Sequence, residues 1–393
     1  MSRPDYRCPP QLIGGRWRAP AGRARRAVID PATREVLDEL LLADAADVAE
    51  AIAASERGFE AWRRVPAHER CARLERGVAR MRERLESIAT LLTLEEGKPL
   101  AEARAECAMA ADLIKWYAEE ARRVHGRILP ARAPGTSMQV LKQPVGPVAA
   151  FSPWNFPLVL SARKLGGALA AGCSIVLKAP EETPAAVAAM VECLAEELPE
   201  GALQLLYGNP AEISQQLIAS PAIRKISFTG SVPVGRQLAE QSGRHLKRIT
   251  LELGGHAPVL LCADADLDRA VPLLVAQKFR NAGQACLAPT RFYVQRRLYG
   301  AFLDAFAAAA TGLKLGAGLQ PGTQMGPVAN GRRQEAVQSL VSRTVAAGAR
   351  QLTGFDADDG GCFVAPTLLA DVPPDAPAMQ EEPFGPLACA VPF

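Results

Sequence analysis

The segment VAAFSPWNFPLVLSARKLGGALAAGCSIVLK, residues 148–178, decides the architecture. It begins with an uncharged apolar run, Val148–Phe151, and ends with another, Ile175–Leu177; between them lies a stretch long enough for a helix. Strand, crossover helix and strand form the unit from which parallel sheets are built, because two parallel strands cannot be joined by a tight turn. The rhythm continues through the apolar runs Leu203–Leu206, Ile226–Phe228 and Ile249–Leu251, which predicts a parallel sheet covered on both faces. In such sheets ligands bind outside the carboxyl ends of the strands. The residues directly after each run are therefore where chemistry should be sought.

Upstream of this block the first third reads as helical. Leu74, Val78, Met81, Leu85, Ile88 and Leu92 alternate spacings of four and three, the apolar face of one amphipathic helix that Gly97-Lys98-Pro99 stops. A further helix carries Cys107, Ile114, Tyr117 and Val124 and ends at Gly126. Residues 128–144 are rich in Pro and Gly, lack a helical period and read as a pair of extended arms. Downstream of Gly254-Gly255 a second α/β block is expected, with helices near residues 266–279 and 297–311.

With 393 residues, 49% of them hydrophobic and 22% charged, the chain is expected to form two domains. A net charge of +3, from 45 basic and 42 acidic side chains, argues against a nucleic-acid surface, so Arg23, Arg25 and Arg26 read as a solvated edge. The nine cysteines, at 8, 71, 107, 173, 193, 262, 286, 362 and 389, show no metal-binding spacing, and their odd number argues against a disulfide framework. A reducing, cytoplasmic setting is the natural reading. The most apolar stretch, Leu165–Leu177, contains three glycines and is too short to span a bilayer. No metal, membrane or nucleic-acid partner is expected.

The GxGxxG dinucleotide motif is absent. Instead Lys225–Phe228 runs into Thr229-Gly230-Ser231-Val232-Pro233-Val234-Gly235 and then a helix, whose N-terminus offers unpaired N–H groups to a phosphate. By itself such a glycine turn is more often a plain connection. A second turn, Lys178-Ala179-Pro180-Glu181-Glu182, puts a lysine and a carboxylate at a strand's carboxyl end. There they can bond ribose hydroxyls, and the carboxylate would repel a 2′-phosphate, favouring NAD over NADP. In isolation, a solvated helix start explains the same residues as well.

Three more segments change the balance: Pro153-Trp154-Asn155-Phe156-Pro157, Leu251-Glu252-Leu253-Gly254-Gly255 and Asn281-Ala282-Gly283-Gln284-Ala285-Cys286. Together with Phe228–Ser231 and Glu381-Glu382-Pro383-Phe384-Gly385-Pro386, they resemble the ordered signature set of the aldehyde dehydrogenase superfamily, across nearly the whole chain. The resemblance implies two Rossmann-like α/β domains with open twisted sheets and an extended-arm oligomerisation element. Residues 1–126 and 146–253 would form the NAD-binding domain, 127–145 the bridging arm and 254–393 the catalytic domain.

The chemistry explains the residue types. Aldehyde oxidation needs a tetrahedral adduct whose hydrogen can leave as hydride, and a thiolate supplies it by splitting one hard step into two easier ones. By resemblance Cys286 is the nucleophile, and the Asn155 amide with the Cys286 backbone N–H stabilises the oxyanion. Glu252 is the general base that hydrolyses the thioester. The CoA-acylating branch typically lacks this glutamate, so release of a free acid is favoured. Trp154, Lys178, Glu181, Gly230, Ser231, Gly235, Glu382 and Phe384 are the implied NAD contacts.

Arg163 and Arg280 resemble the pair that grips the carboxylate of succinate semialdehyde, a planar, charge-assisted recognition. The expected reaction is NAD-dependent oxidation of that or a related carboxylated semialdehyde. A betaine aldehyde would want aromatic surfaces instead. His256 stands where many relatives carry Lys, and Ala288 where some carry a second cysteine. Relatives also continue well beyond the Phe-Gly-Pro motif, whereas this sequence reaches Phe393; an incomplete catalytic domain is expected, with a homodimer or homotetramer when that part is present. The competing reading is an inactive or fragmentary homologue that at most binds nucleotide.

Overall fold

The computed structural model describes residues 6–19, 22–354 and 360–393. The chain opens with two antiparallel pairs: β1 (Gln11–Ile13) with β2 (Arg16–Arg18), and β3 (Arg25–Ile29) with β4 (Val36–Leu41). Four helices follow, α1 (Ala45–Trp62), α2 (Ala67–Glu83), α3 (Leu85–Glu96) and α4 (Leu100–Glu120), and then the exposed hairpin β5 (Arg127–Leu129) and β6 (Met138–Val140). The α/β block runs β7 (Val148–Phe151), α5 (Pro157–Ala170), β8 (Ile175–Lys178), α6 (Pro184–Ala195), β9 (Leu203–Leu206), α7 (Pro210–Ala219), β10 (Lys225–Gly230), α8 (Val232–Arg244) and β11 (Arg248–Leu253). The remainder comprises β12 (Ala257–Leu261), α9 (Leu267–Phe279), β13 (Pro289–Val294), α10 (Arg296–Thr311), α11 (Gly331–Ala346), β14 (Arg350–Gln351), β15 (Thr367–Ala370), α12 (Pro377–Gln380) and β16 (Leu387–Pro392).

The strands form two principal sheets. One has the order β11-β10-β7-β8-β9-β1-β2, parallel from β11 to β9 and closed on one side by antiparallel β1 and β2. The other has the order β12-β13-β16-β15-β14, parallel except for β14. Full burial of β7, β8 and β9 explains their uninterrupted apolar runs. Successive strands move from β7 outward through β8 to β9, then jump to β10 on the other side of β7. The strand order thus reverses between β7 and β10, and the crevice at their carboxyl ends is the expected ligand site.

Three expectations need correction. The first third is not wholly helical, because four short strands precede the helices. The single amphipathic helix through Leu74 and Leu92 is two, broken at Arg84, whose ψ of 9° leaves the helical range; Gly97, at φ 93°, then stops the second. The helix through Cys107 and Ile114 ends at Glu120, short of Val124; Arg23, Arg25 and Arg26 lie on a partly exposed edge, where they pair with Asp47, Glu39 and Glu182. Within the expected arm, β5 and β6 form a largely exposed antiparallel pair. Among the described residues no helix is long and apolar enough to cross a membrane.

Candidate active site

The turn after β7 carries Trp154 and Asn155, β10 ends in Gly230 with Ser231 directly after it, and β11 carries Glu252. All line one cavity of about 270 Å³ together with Cys286, Glu382 and Phe384. A second cavity, of about 490 Å³, lies against α4 and α5 and contains Arg163, Arg280, Phe156, Tyr117 and Met109. The two share Asn155, Leu160, Thr229, Glu252 and Cys286, so the thiol stands between them. Residues 155, 252 and 286, more than a hundred positions apart at the extremes, are brought to one point.

Cys286 follows an unusual stretch of backbone. Asn281, Ala282 and Gly283 have φ of 51°, 51° and 72°, left-handed values that cost non-glycine residues energy. Neighbours hold them there. The Asn281 backbone N–H donates to Glu102 (2.8 Å), and its side-chain amide donates to the Asn155 carbonyl (2.8 Å). Gln284 accepts from the Ala329 N–H (2.9 Å) and donates to the Asn281 carbonyl (3.0 Å). At Gly283 a side chain is excluded twice over, since a Cβ would overlap the Gly385 carbonyl.

The Asn155 amide donates one hydrogen to the Gln284 carbonyl (2.9 Å), which leaves its other hydrogen for the cavity. Burial and the hydrogen-bonded Glu252 carboxylate hold the Cys286 thiol above its ordinary pKa. Glu252 has a further neighbour that the sequence did not single out, Lys164. That buried ammonium donates to Thr229 Oγ1 (2.8 Å) and Ser227 Oγ (3.3 Å), and desolvation lowers its pKa to about 8 against the pull of Glu252.

On the dinucleotide side, Glu382 accepts from the Gly255 N–H (3.2 Å), and a Cβ at Gly254 would collide with its carboxylate. Trp154 and Phe384 meet edge to face, with centroids 5.7 Å apart. Ser231 directly precedes α8 and makes no side-chain cap, leaving that helix's first N–H groups to bind an anion, so the surroundings fit a nicotinamide dinucleotide. Lys178 and Glu181 line neither cavity; they are buried and paired with each other (2.7 Å), with Gly208 N–H and Arg26 also facing Glu181. Gly235 does not reach a cavity either. It lies in α8, where a Cβ would meet the Leu253 side chain at 2.5 Å, so its visible role is the close approach of helix to sheet. His256, its pKa lowered by burial, contacts Thr290 Oγ1 and the Ala378 carbonyl.

Residues 17–393 match the model of the aldehyde dehydrogenase family. The chain belongs to that family. It is 70% identical over 393 residues to the 4-(hydroxymethyl)benzenesulfonate dehydrogenase of Comamonas testosteroni, covering all of this chain and 82% of that protein. It is 41% identical to the 3-sulfolactaldehyde dehydrogenase of Pseudomonas putida, covering 96% of this chain and 78% of the relative. The crystal structure of succinate-semialdehyde dehydrogenase from Burkholderia pseudomallei superposes with a TM-score of 0.96 at 43% identity, covering 100% of this chain and 82% of that one. The aldehyde dehydrogenase fold and the oxidation of aldehydes with NAD(P) follow from this membership.

Proposed function

We propose that the protein oxidises an anionic aldehyde to its acid with NAD, and that a sulfonated benzaldehyde is its preferred substrate. The observation that carries this reading is the meeting of two cavities at Cys286, one suited to a dinucleotide and the other lined with rings and two arginines. When bound, the nicotinamide supplies the hydride acceptor. The Cys286 thiol loses its proton to solvent, and the sulfur adds to the carbonyl carbon while Asn155 donates to the developing oxyanion. After hydride loss the acyl group is a thioester on Cys286, and Glu252 then deprotonates the water that releases the acid. The Lys178–Glu181 pair is assigned to the adenosine ribose, with Glu181 disfavouring a 2′-phosphate. Residues 1–126 and 146–253 would serve the cofactor, and 254–393 would supply the nucleophile.

The arginines support the anion. Among the described residues neither Arg163 nor Arg280 has an ion pair within bonding distance, whereas Arg23, Arg26, Arg76, Arg80 and Arg343 do. Arg280 instead stacks on the Phe156 ring at 4.9 Å. Apolar walls from Met109, Tyr117, Val159 and Leu287 suit an aromatic body better than a short alkyl chain. The name of the 70%-identical relative places a sulfonated benzyl group on its substrate. In this chain the reacting carbon must be a carbonyl, since a thiolate does not add to an alcohol, so the sulfonated benzaldehyde is the matching form.

Succinate semialdehyde is the second reading, favoured by the same arginine pair and the Burkholderia structure. Initial rates with 4-formylbenzenesulfonate, succinate semialdehyde and benzaldehyde, each with NAD and NADP, separate the two. The proposal expects the highest kcat/KM for 4-formylbenzenesulfonate with NAD; equal values for it and benzaldehyde would remove the anion argument.

A further inference from the structure

Beneath the active site lies a buried ion pair that none of the assigned steps uses. Lys98, between α3 and α4, and Glu106 of α4 have side chains 0% and 2% exposed, with Nζ and Oε2 2.5 Å apart. The same ammonium donates to the main-chain carbonyl of Asn155 at 2.8 Å and sits 4.2 Å from the centroid of the Phe156 ring. The other Glu106 oxygen accepts from the Leu158 N–H at 2.9 Å. Pro157 has no N–H and Phe156 gives α5 no side-chain cap, so Glu106 caps α5 from another helix. One lysine–glutamate pair thus clamps residues 155–158 from below at both ends.

We propose that Lys98 is a positioning residue for the oxyanion donor: by fixing the Asn155 carbonyl from the protein interior, it sets the aim of the Asn155 amide. The proposal rests on the oxyanion role given to Asn155 above. A buried ion pair is weak evidence for stability, because desolvation offsets much of the attraction. Its specific contacts with one catalytic backbone segment point to placement instead. Asn281 donates to the same carbonyl, so the Asn155 peptide is held by two side chains, one from the helical half and one from the loop carrying Cys286.

The test is a double-mutant cycle on the full chain. Lys98→Met is made together with Glu106→Gln, removing one cation and one anion; the buried Glu96 carboxyl, 3.8 Å from Lys98 Nζ and already raised by burial to a pKa of about 8, is left to take up a proton. Both the parent and the Asn155→Ala background receive it. With 4-formylbenzenesulfonate and NAD, the paired substitution should lower kcat by about 30- to 100-fold, below the full loss of an oxyanion donor, with KM moving less than about threefold. In the Asn155→Ala background it should lower kcat by less than about twofold. Iodoacetamide labelling of Cys286 should be unchanged in both.

An equal fractional loss in the two backgrounds, or an unaltered kcat in the parent, would overturn the proposal. Glu106→Gln alone keeps Lys98 but weakens its anchor, and it is read by the same cycle should the pair fail to fold; a smaller, equally non-additive loss is expected, and an additive loss counts against. An Asn155→Ala protein as fast as the parent would remove the oxyanion role, and the Lys98 proposal with it.

Discussion

The Cys286 thiol is kept protonated by its surroundings, because burial and the Glu252 carboxylate both raise its pKa. Glu252→Gln removes the negative neighbour, so that pKa should fall and the thiolate fraction at pH 8 should rise. Alkylation of Cys286 should then be faster than in the parent, while steady-state NADH formation drops by about 10²-fold or more for want of a base to hydrolyse the thioester. Slower alkylation would show that Glu252 does not face the thiol. At the substrate end, Arg280→Ala should raise KM for 4-formylbenzenesulfonate at least about tenfold, consistent with about 1.5–3 kcal/mol for a charge-assisted contact, and leave that for benzaldehyde nearly unchanged. At the ribose end, Glu181→Ser should narrow the preference for NAD over NADP; an unaltered ratio of kcat/KM would show that the buried Lys178–Glu181 pair only holds the turn together.

The element that matters most is the left-handed run Asn281–Gly283, which turns the chain from α9 into the nucleophile. Gly283→Ala should lower Tm by several degrees and abolish turnover, since it adds a side chain where φ is 72° and the Gly385 carbonyl is in the way. A variant that melts and turns over like the parent would contradict this account of the loop. The sequence showed this segment as a motif but not its shape, which is imposed by Glu102, Asn155 and Ala329 from distant parts of the chain.

The same distinction holds across the fold. β7, β8 and β9 were legible because burial on both faces leaves nearly continuous apolar runs, and β10 and β11 because apolar residues alternate along them. The strands Arg16–Arg18 and Arg25–Ile29 were not, since charged, largely exposed edge residues carry no such pattern. The break at Arg84 was invisible because the apolar spacing stays in phase across it. Lys98 read only as part of a helix stop, for nothing local announces that it reaches residue 155.

At the scale of the whole molecule, separate hydrophobic cores lie under the two sheets, and the chemistry sits where they meet. Within the second half, Lys278 is fully buried, its ammonium has no hydrogen-bond partner, and desolvation lowers its pKa to about 8. From about pH 8 to the ordinary value of 10.5 the unfolded chain binds a proton that the folded chain has lost, so this lysine makes stability rise with pH in that window. Lys278→Met should raise Tm at pH 7, where the buried charge is a liability, and the gain should shrink by pH 10; a lower Tm at pH 7 would mean the ammonium has a stabilising partner. The assembled site makes a more direct demand, that Cys286 from one half be acylated beside Asn155 and Glu252 from the other. Acid-quenched peptide mass analysis of the Glu252→Gln protein, mixed with NAD and 4-formylbenzenesulfonate, tests it. The expected result is a single acyl adduct on the Cys286 peptide, formed with one equivalent of NADH; NADH appearing with that peptide unmodified would contradict the account.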